Sequence, residues 1–400
     1  MANVQKVKNI LISLIESIDT YNFLLRDHHR RTATIAYLLG NEFGLNAAEL
    51  SNLVLTASIH DIGALHVTER DKLLYIDAVD TSPHEILGEK ILLGFKPFSH
   101  ISKVIRHHHI KYSEVKSGIV PENEVPIECY FIHLADRIDV IMATCKDSSN
   151  IKEYVVQEIN ARFGSVFMPE LKEIFNILTA TDEFWENINN SSYHDLLFMA
   201  VDSEECQVDD EDMDALAILF ARIVDHKSHW TLNHSKSVGA LASQIAELNG
   251  MSDEKCHELK IAGYLHDIGK IAIPSEILDK HGSLDDNEFR TMKSHATYTS
   301  LILSKIPALG DCARWASCHH ERRNKSGYPL RINDIDFTSE IDIIAYADVF
   351  AALAEDRPYR TAMTIEDIIN ILKGISVNQL DSSVFNVINA NAAELYSLIS

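Results

Sequence analysis

Apolar residues recur at i, i+3, i+4 and i+7 along much of the chain, as in ATIAYLLGNEF (33–43), AELSNLVLTASIHDIG (48–63) and SVGALASQIAEL (237–248). That period lines one face of a helix with apolar side chains and predicts an all-α protein. Strand-like alternation closed by Asn-Gly or Asp-Gly turns is missing from the sequence. One charge block stands out, because eight of the thirteen residues from Asp202 to Asp214 are acidic. Like charges at that density repel one another and stay solvated. The expected organisation is therefore an N-terminal domain over 1–200, an acidic linker over 201–214 and a C-terminal domain over 215–400.

The two halves repeat each other. His28 precedes His60-Asp61 by 32 residues, and His234 precedes His266-Asp267 by the same 32. SIHDIGALHV matches YLHDIGKIAI, His84 answers His295, the triple His107-His108-His109 answers His319-His320, and LADRIDVIMA around Asp136 answers YADVFAALAE around Asp348. The offset drifts only from 206 to 211 or 212. Ordered matches at nearly constant offset indicate a duplication.

Composition narrows the function classes. With 400 residues, 46% hydrophobic and 24% charged, the chain can build two cores. A net charge of −23 argues against a nucleic-acid polymer as partner. A small anionic substrate remains open if cations reverse the sign at one site. No run of eighteen apolar residues predicts a membrane span, and the lysines and acids of the first helical pattern do not suit a signal peptide. Six cysteines (129, 145, 206, 256, 312 and 318) form no CxxC pair and read as reduced thiols of a cytoplasmic protein.

Twenty histidines are a large share of the chain, and the repeat concentrates them. In the C-terminal copy His234, His266, Asp267, His295, His319, His320 and Asp348 form an ordered set of imidazoles and carboxylates. Such donors suit iron, manganese, zinc or nickel. Two such ions close together can polarise a phosphodiester and hold a bridging hydroxide for in-line attack.

HDIGK (266–270), HHERRNKSGYP (319–329) and ADVFAALAEDRPYR (347–360) resemble the HD-GYP family, a branch of the HD-domain phosphohydrolases, over about residues 215–375. The resemblance implies two tandem helical HD-type domains. It further implies a centre of two or three metals, with two divalent ions expected here (iron or manganese favoured; magnesium, nickel and zinc compatible), and hydrolysis of a 3′,5′-linked cyclic dinucleotide to a linear one. It assigns His234, His266, Asp267 and Asp348 to one metal, and Asp267, His295, His319 and His320 to the second. Asp267 and Lys270 become the catalytic candidates; Lys270, Arg322, Lys325, Tyr328, Arg357 and Arg360 become the substrate-binding ones. Glu321 is a candidate to orient a ligand histidine. The chain departs from the family at Asn324, Lys325 and Ala351, where the family has aspartate, glycine and an acid, and at Trp230, where three-metal members carry glutamate. The last departure favours two metals.

The first copy keeps a possible metal site in His28, His60, Asp61, His84, His107, His108 and Asp136, with His109 an equally spaced competitor. Its supporting cations are gone: Ala64 stands for Lys270, and Cys145 and Ser148 stand for Arg357 and Arg360. A regulatory or structural role is expected for it. The tandem arrangement resembles bacterial phosphodiesterases acting on 3′3′-cGAMP, which is preferred here over cyclic di-GMP. The alternatives are an HD-type nucleotidase and a signalling scaffold that senses nucleotide without hydrolysis. A homodimer or a signalling-protein partner is compatible with the sequence.

Overall fold

The computed structural model describes residues 3–6, 10, 27–64, 82–145, 150–201, 205–227, 233–333, 336–356 and 361–399. The chain divides into two units, 2–208 and 209–400. Both are built from helices, as the periodicity requires, and among the described residues no helix is long and apolar enough to cross a membrane.

In the first unit, α1 (His28–Phe43), α2 (Ala47–Ala57), α3 (Ser82–Leu93), α4 (Ser102–Arg106) and α5 (Glu128–Thr144) carry the repeat, and α6 (Ile151–Asn160), α7 (Leu171–Thr179), α8 (Asp182–Ile188) and α9 (Ser191–Val201) follow. The α1–α2 corner is written in local chemistry. Gly44 closes α1 at φ 94°, a left-handed position that favours glycine. Asn46 then accepts from Ala48 N and Glu49 N while Glu49 returns a bond to Asn46 N, a reciprocal capping box. Helix α1 packs on α2 and α5 through Ile35, Ala36, Leu39, Leu53 and Phe131, all fully buried.

The periodicity did not predict a short antiparallel ribbon of β1 (Asn3–Lys6) and β2 (Glu205–Val208). The acidic stretch expected to be a linker is thus ordered at both ends, since β2 occupies 205–208 and α10 (Asp210–Lys227) begins two residues later. Carboxylates explain the helix start. Asp212 N donates to Asp209 Oδ1 at 2.9 Å and Asp209 N donates to Asp212 Oδ2 at 3.3 Å. Asp210, Glu211 and Asp212 also sit where the helix dipole favours negative charge.

The second unit continues with α11 (His234–Leu248), α12 (Asp253–Leu265), α13 (Asp286–Lys293), α14 (His295–Leu303), α15 (Asp311–Ser317) and α16 (Ser339–Ala354). It closes with α17 (Ile365–Ser376), α18 (Ser382–Ala390) and α19 (Ala392–Ser397). Helix α11 packs against α12 and α16, and their contact carries Val238, Leu241, Ile245, Ala262, Ile344 and Ala347 into the core.

The HDIG words do not lie inside helices, as a continuous pattern over 48–63 had suggested. Helix α2 stops at Ala57 and His60–Gly63 turns back; α12 stops at Leu265 and a 3₁₀ turn covers Ile268–Ala272. Close packing goes with the break, because each turn presses on the start of the next helix, α3 or α14. A Cβ on Gly63 would collide with the His84 carbonyl, and one on Gly269 with the His295 carbonyl. Gly269→Ala is expected to destabilise the second unit by about 2–3 kcal/mol, the cost of overpacking. Gly374→Ala, in α17 with open space around it, should be neutral or stabilising by up to about 1 kcal/mol. Urea unfolding of the two variants beside the parent checks both signs.

Candidate metal centre

Five histidines are presented by one device. His60, His108, His266, His295 and His319 each donate Nδ1–H to the carbonyl three residues back, on Ala57, Ile105, Gly263, Met292 and Ala316, at 2.7–2.8 Å. Those carbonyls lie in the last turn of α2, α4, α12, α13 and α15, where helix oxygens lack an intrahelical partner. The bond commits Nδ1 and turns each Nε2 inward.

In the second unit these nitrogens converge. His295 Nε2 and His319 Nε2 are 3.4 Å apart. Both Nδ1 atoms are already donors, so neither Nε2 can donate to the other while the rings are neutral. Burial keeps them neutral, lowering His295 below its ordinary range and taking His319 down to about 3. Two lone pairs face each other, an arrangement that a cation between them relieves. His266 Nε2 and Asp267 Oδ1 are likewise buried with no hydrogen-bond partner. His234, His266 and Asp348 offer donor atoms within 4.8 Å of one another, as do His266, Asp267 and His319, and His295, His319 and His320. The donor set fits divalent cations.

Asp267 joins the groups. Its Oδ2 lies 3.1 Å from His266 Nε2 and accepts from Lys270 Nζ, while its Oδ1 lies 3.5 Å from His295 Nε2 and 3.9 Å from His319 Nε2. Burial pushes its pKa up, but the charges of His266 and Lys270 outweigh burial and hold the carboxyl well below the ordinary range. Asp348, from α16, sits 3.3 Å from His234 Nε2 and 3.8 Å from His266 Nε2. Burial again acts upward and is outweighed by the His234 hydrogen bond.

The GYP loop stands over one side. Gly327 is needed there because a Cβ would strike the backbone of His320, Glu321 and Arg322. The Tyr328 ring lies 4.7 Å from that of His320, tilted by 38°. Burial raises the Tyr328 phenol above its ordinary value, so it keeps its proton. Glu321 does not orient a ligand histidine. Its buried carboxylate accepts backbone N–H groups from Leu330, Arg331 and Ile332, pinning the loop from beneath. Arg322 donates to the carbonyls of His319 and Glu321. Lys325 is exposed, and its Nζ donates to Asn333 Oδ1 at 3.0 Å. Arg357, Arg360 and Trp230 lie outside the described residues, as does Ser148.

The first unit repeats the arrangement with one correction. His107 half-emerges at the end of α4 and belongs to no donor group. Asp61, His84, His108 and His109 form one group and His28, His60 and Asp136 another. Register decides it: His108 makes the bond to Ile105 O that His319 makes to Ala316 O, so His109 answers His320. The ligand offset is therefore 211 at that point, which the spacing had left open. His84 Nε2 and His108 Nε2 stand 3.2 Å apart, and Asp61 Oδ1 is buried without a hydrogen-bond partner.

Sequence reasoning missed two acids. His28 Nδ1 lies 2.7 Å from Asp139 Oδ2, and His234 Nδ1 lies 3.0 Å from Glu355 Oε2. The missing acid at Ala351 was a signal that some other group had to serve His234.

Residues 219–384 match the HD domain family, and residues 25–141 match it separately. The chain is 29% identical to the 3′3′-cGAMP-specific phosphodiesterase 1 of Vibrio cholerae, covering 93% of this chain and 88% of that one. It is 33% identical to a cyclic di-GMP phosphodiesterase of Thermotoga maritima over 51% of this chain and 50% of that protein. A crystal structure of a cyclic GMP-AMP-specific phosphodiesterase from V. cholerae superposes with a TM-score of 0.65 at 24% identity, covering 98% of both chains, which shows a common fold.

Metal uptake should release protons. Burial lowers the pKa of His234 and His60, but carboxylates outweigh it (Asp348 and Glu355 for His234, Asp61 and Asp136 for His60) and raise both to about 9. Both rings therefore hold a proton at neutral pH until a cation displaces it. Titrating Mn²⁺ into the metal-free chain at pH 7 should release about two protons per chain once both clusters fill. The affinity should rise with pH up to about 9. Calorimetry in buffers of different ionisation heat reads the proton count; uptake without release contradicts the prediction.

Proposed function

The chain belongs to the HD-domain phosphohydrolases in both of its units, the second of HD-GYP type, and we propose that this second unit hydrolyses a 3′,5′-linked cyclic dinucleotide to a linear one. The preferred substrate is 3′3′-cGAMP over cyclic di-GMP, a choice supported by the named activity of the relative that aligns along nearly the whole chain. The observation that carries the reading is the Asp267 carboxylate, shared between two donor groups while gripping Lys270.

His234, His266, Asp267 and Asp348 would hold one divalent cation, and Asp267, His295, His319 and His320 the second, with iron or manganese favoured. When bound, these ions supply Lewis acidity at phosphorus and an activated water for in-line attack. The protein's own groups do the rest. Lys270, partly exposed beside Asp267, offers an ammonium to a phosphoryl oxygen or to the leaving 3′ oxygen. Tyr328 keeps its proton and can donate to phosphate or stack its ring on a base. Arg322 and Glu321 hold the loop that presents it. Arg357 and Arg360 complete the proposed basic set from the sequence motif. Water adds to phosphorus, the P–O3′ bond breaks, and the ring opens with one proton passing to the departing oxygen.

The first unit keeps the ligands but closes the site. The Asp136 side chain is 1% exposed where Asp348 is 14% exposed, and Arg137 forks onto the Asp136 carboxylate. Ala64, buried, replaces Lys270. This unit is proposed to retain metal for a regulatory or structural purpose.

Rates on 3′3′-cGAMP, cyclic di-GMP and cyclic di-AMP, measured with Mn²⁺ or Fe²⁺ on the full chain, test the reading. His266→Ala and Asp267→Ala should each cost on the order of 10²–10³-fold or more, while His60→Ala should leave the rate within about threefold, because its unit lacks the phosphate-binding cations. Full turnover by Asp267→Ala would sink the assignment. Faster turnover of cyclic di-GMP would overturn only the substrate preference.

A further inference from the structure

We propose that Glu355 is the positioning residue for His234, standing in for an acid that the second unit has lost from position 351. Resting on the metal-centre reading above, the proposal concerns how one ligand of that centre is aimed.

The need arises from where His234 sits. Five ligand histidines follow helix C-termini and use the preceding carbonyls to fix Nδ1. His28 and His234, the first residues of α1 and α11, instead have Nδ1 beside a side-chain carboxylate. In the first unit Asp139 supplies it from within α5, one turn after Asp136, at 2.7 Å, and Arg31 donates to both oxygens of that carboxylate. The position one turn after Asp348 is Ala351, buried and without an acceptor side chain.

Glu355 supplies the missing acceptor from one turn further on. Seven residues after Asp348 returns to nearly the same helix face, and α16 ends at Ala354, so Glu355 sits at the C-cap in extended backbone with φ −93° and ψ 148°. Its longer side chain then reaches His234 Nδ1 at 3.0 Å, while His234 Nε2 faces Asp348 Oδ1 at 3.3 Å. The carboxylate on Nδ1 fixes the tautomer, orients the ring and raises the basicity of the nitrogen that faces the cation. The two copies thus reach the same contact by different chain positions, which singles out the contact as the requirement.

The test uses Mn²⁺ alone on the metal-free full-length chain, with affinity read by competitive titration and folding by circular dichroism and thermal melting. His266→Ala defines which share of the binding belongs to this cluster. Glu355→Ala should weaken that share by about 10- to 100-fold, as loss of a ligand's hydrogen-bond partner does. Glu355→Gln, which keeps shape and an acceptor without the charge, should fall between it and the parent. Adding Ala351→Asp to Glu355→Ala rebuilds the arrangement of the first unit and should recover most of the loss. Parental Mn²⁺ affinity in Glu355→Ala overturns the proposal, and so does a folded double variant that binds no tighter than Glu355→Ala. Should His266→Ala also bind like the parent, the metal-centre reading itself fails, and that outcome is distinct from a failure of Glu355 alone.

Discussion

The structure of both sites depends on one hydrogen bond used repeatedly, from imidazole Nδ1 to a helix-end carbonyl three residues back. A helix leaves its last carbonyls unpaired and slightly negative. Placing a histidine just beyond that end satisfies one carbonyl and locks the ring with Nε2 toward the centre. The arrangement explains why so many helices stop where they do. Each break at Ala57, Leu265, Lys293 and Ser317 delivers an inward Nε2. It also makes the metal-free state costly in the second unit, because the His295 and His319 lone pairs 3.4 Å apart cannot bond to each other when both rings use Nδ1 elsewhere.

Duplication lets the two units be read as one experiment with different side chains. The ligand frame has been kept down to the glycine that presses the HDIG turn onto the next helix. What has diverged is the group beside each carboxylate. Asp267 holds the ammonium of Lys270, which its counterpart Asp61 lacks because Ala64 stands there, and Asp136 carries the guanidinium of Arg137 where its counterpart Asp348 is more exposed. A partly exposed lysine can turn from its carboxylate toward a phosphate. The buried guanidinium of Arg137 already spends two donors on Asp136 Oδ2.

Much of this was legible in the sequence because it follows from spacing. The 3.6-residue period gave the helices, and the nearly constant offset gave the duplicated donor residues, His234 through Asp348 and His28 through Asp136, which the structure gathers into clusters. Three things were not legible, each for a physical reason. The choice of His108 and His109 over His107 depends on which ring reaches a carbonyl three residues back, and only the end of α4 at Arg106 sets that. The ribbon of Asn3–Lys6 with Glu205–Val208 joins segments about two hundred residues apart, beyond any local pattern. The acids behind His28 and His234 come from different positions in the two copies, so comparing the copies residue by residue hides their equivalence.

A chain with a net charge of −23 is an unpromising receptor for an anionic dinucleotide until the charge is counted locally. Asp267 and Asp348 are held ionised in the second unit, and the imidazoles of His295, His319 and His320 are kept neutral by burial. Two carboxylates against the two divalent cations proposed for the site would leave the centre positive, and Lys270 adds to it. In a low-dielectric setting that local charge outweighs distant surface acids, whose fields are screened within about 8–10 Å. The same arithmetic accounts for the choice of ligands. More carboxylates would hold the ions as well but cancel the field the substrate needs, whereas neutral nitrogens hold them and leave it intact.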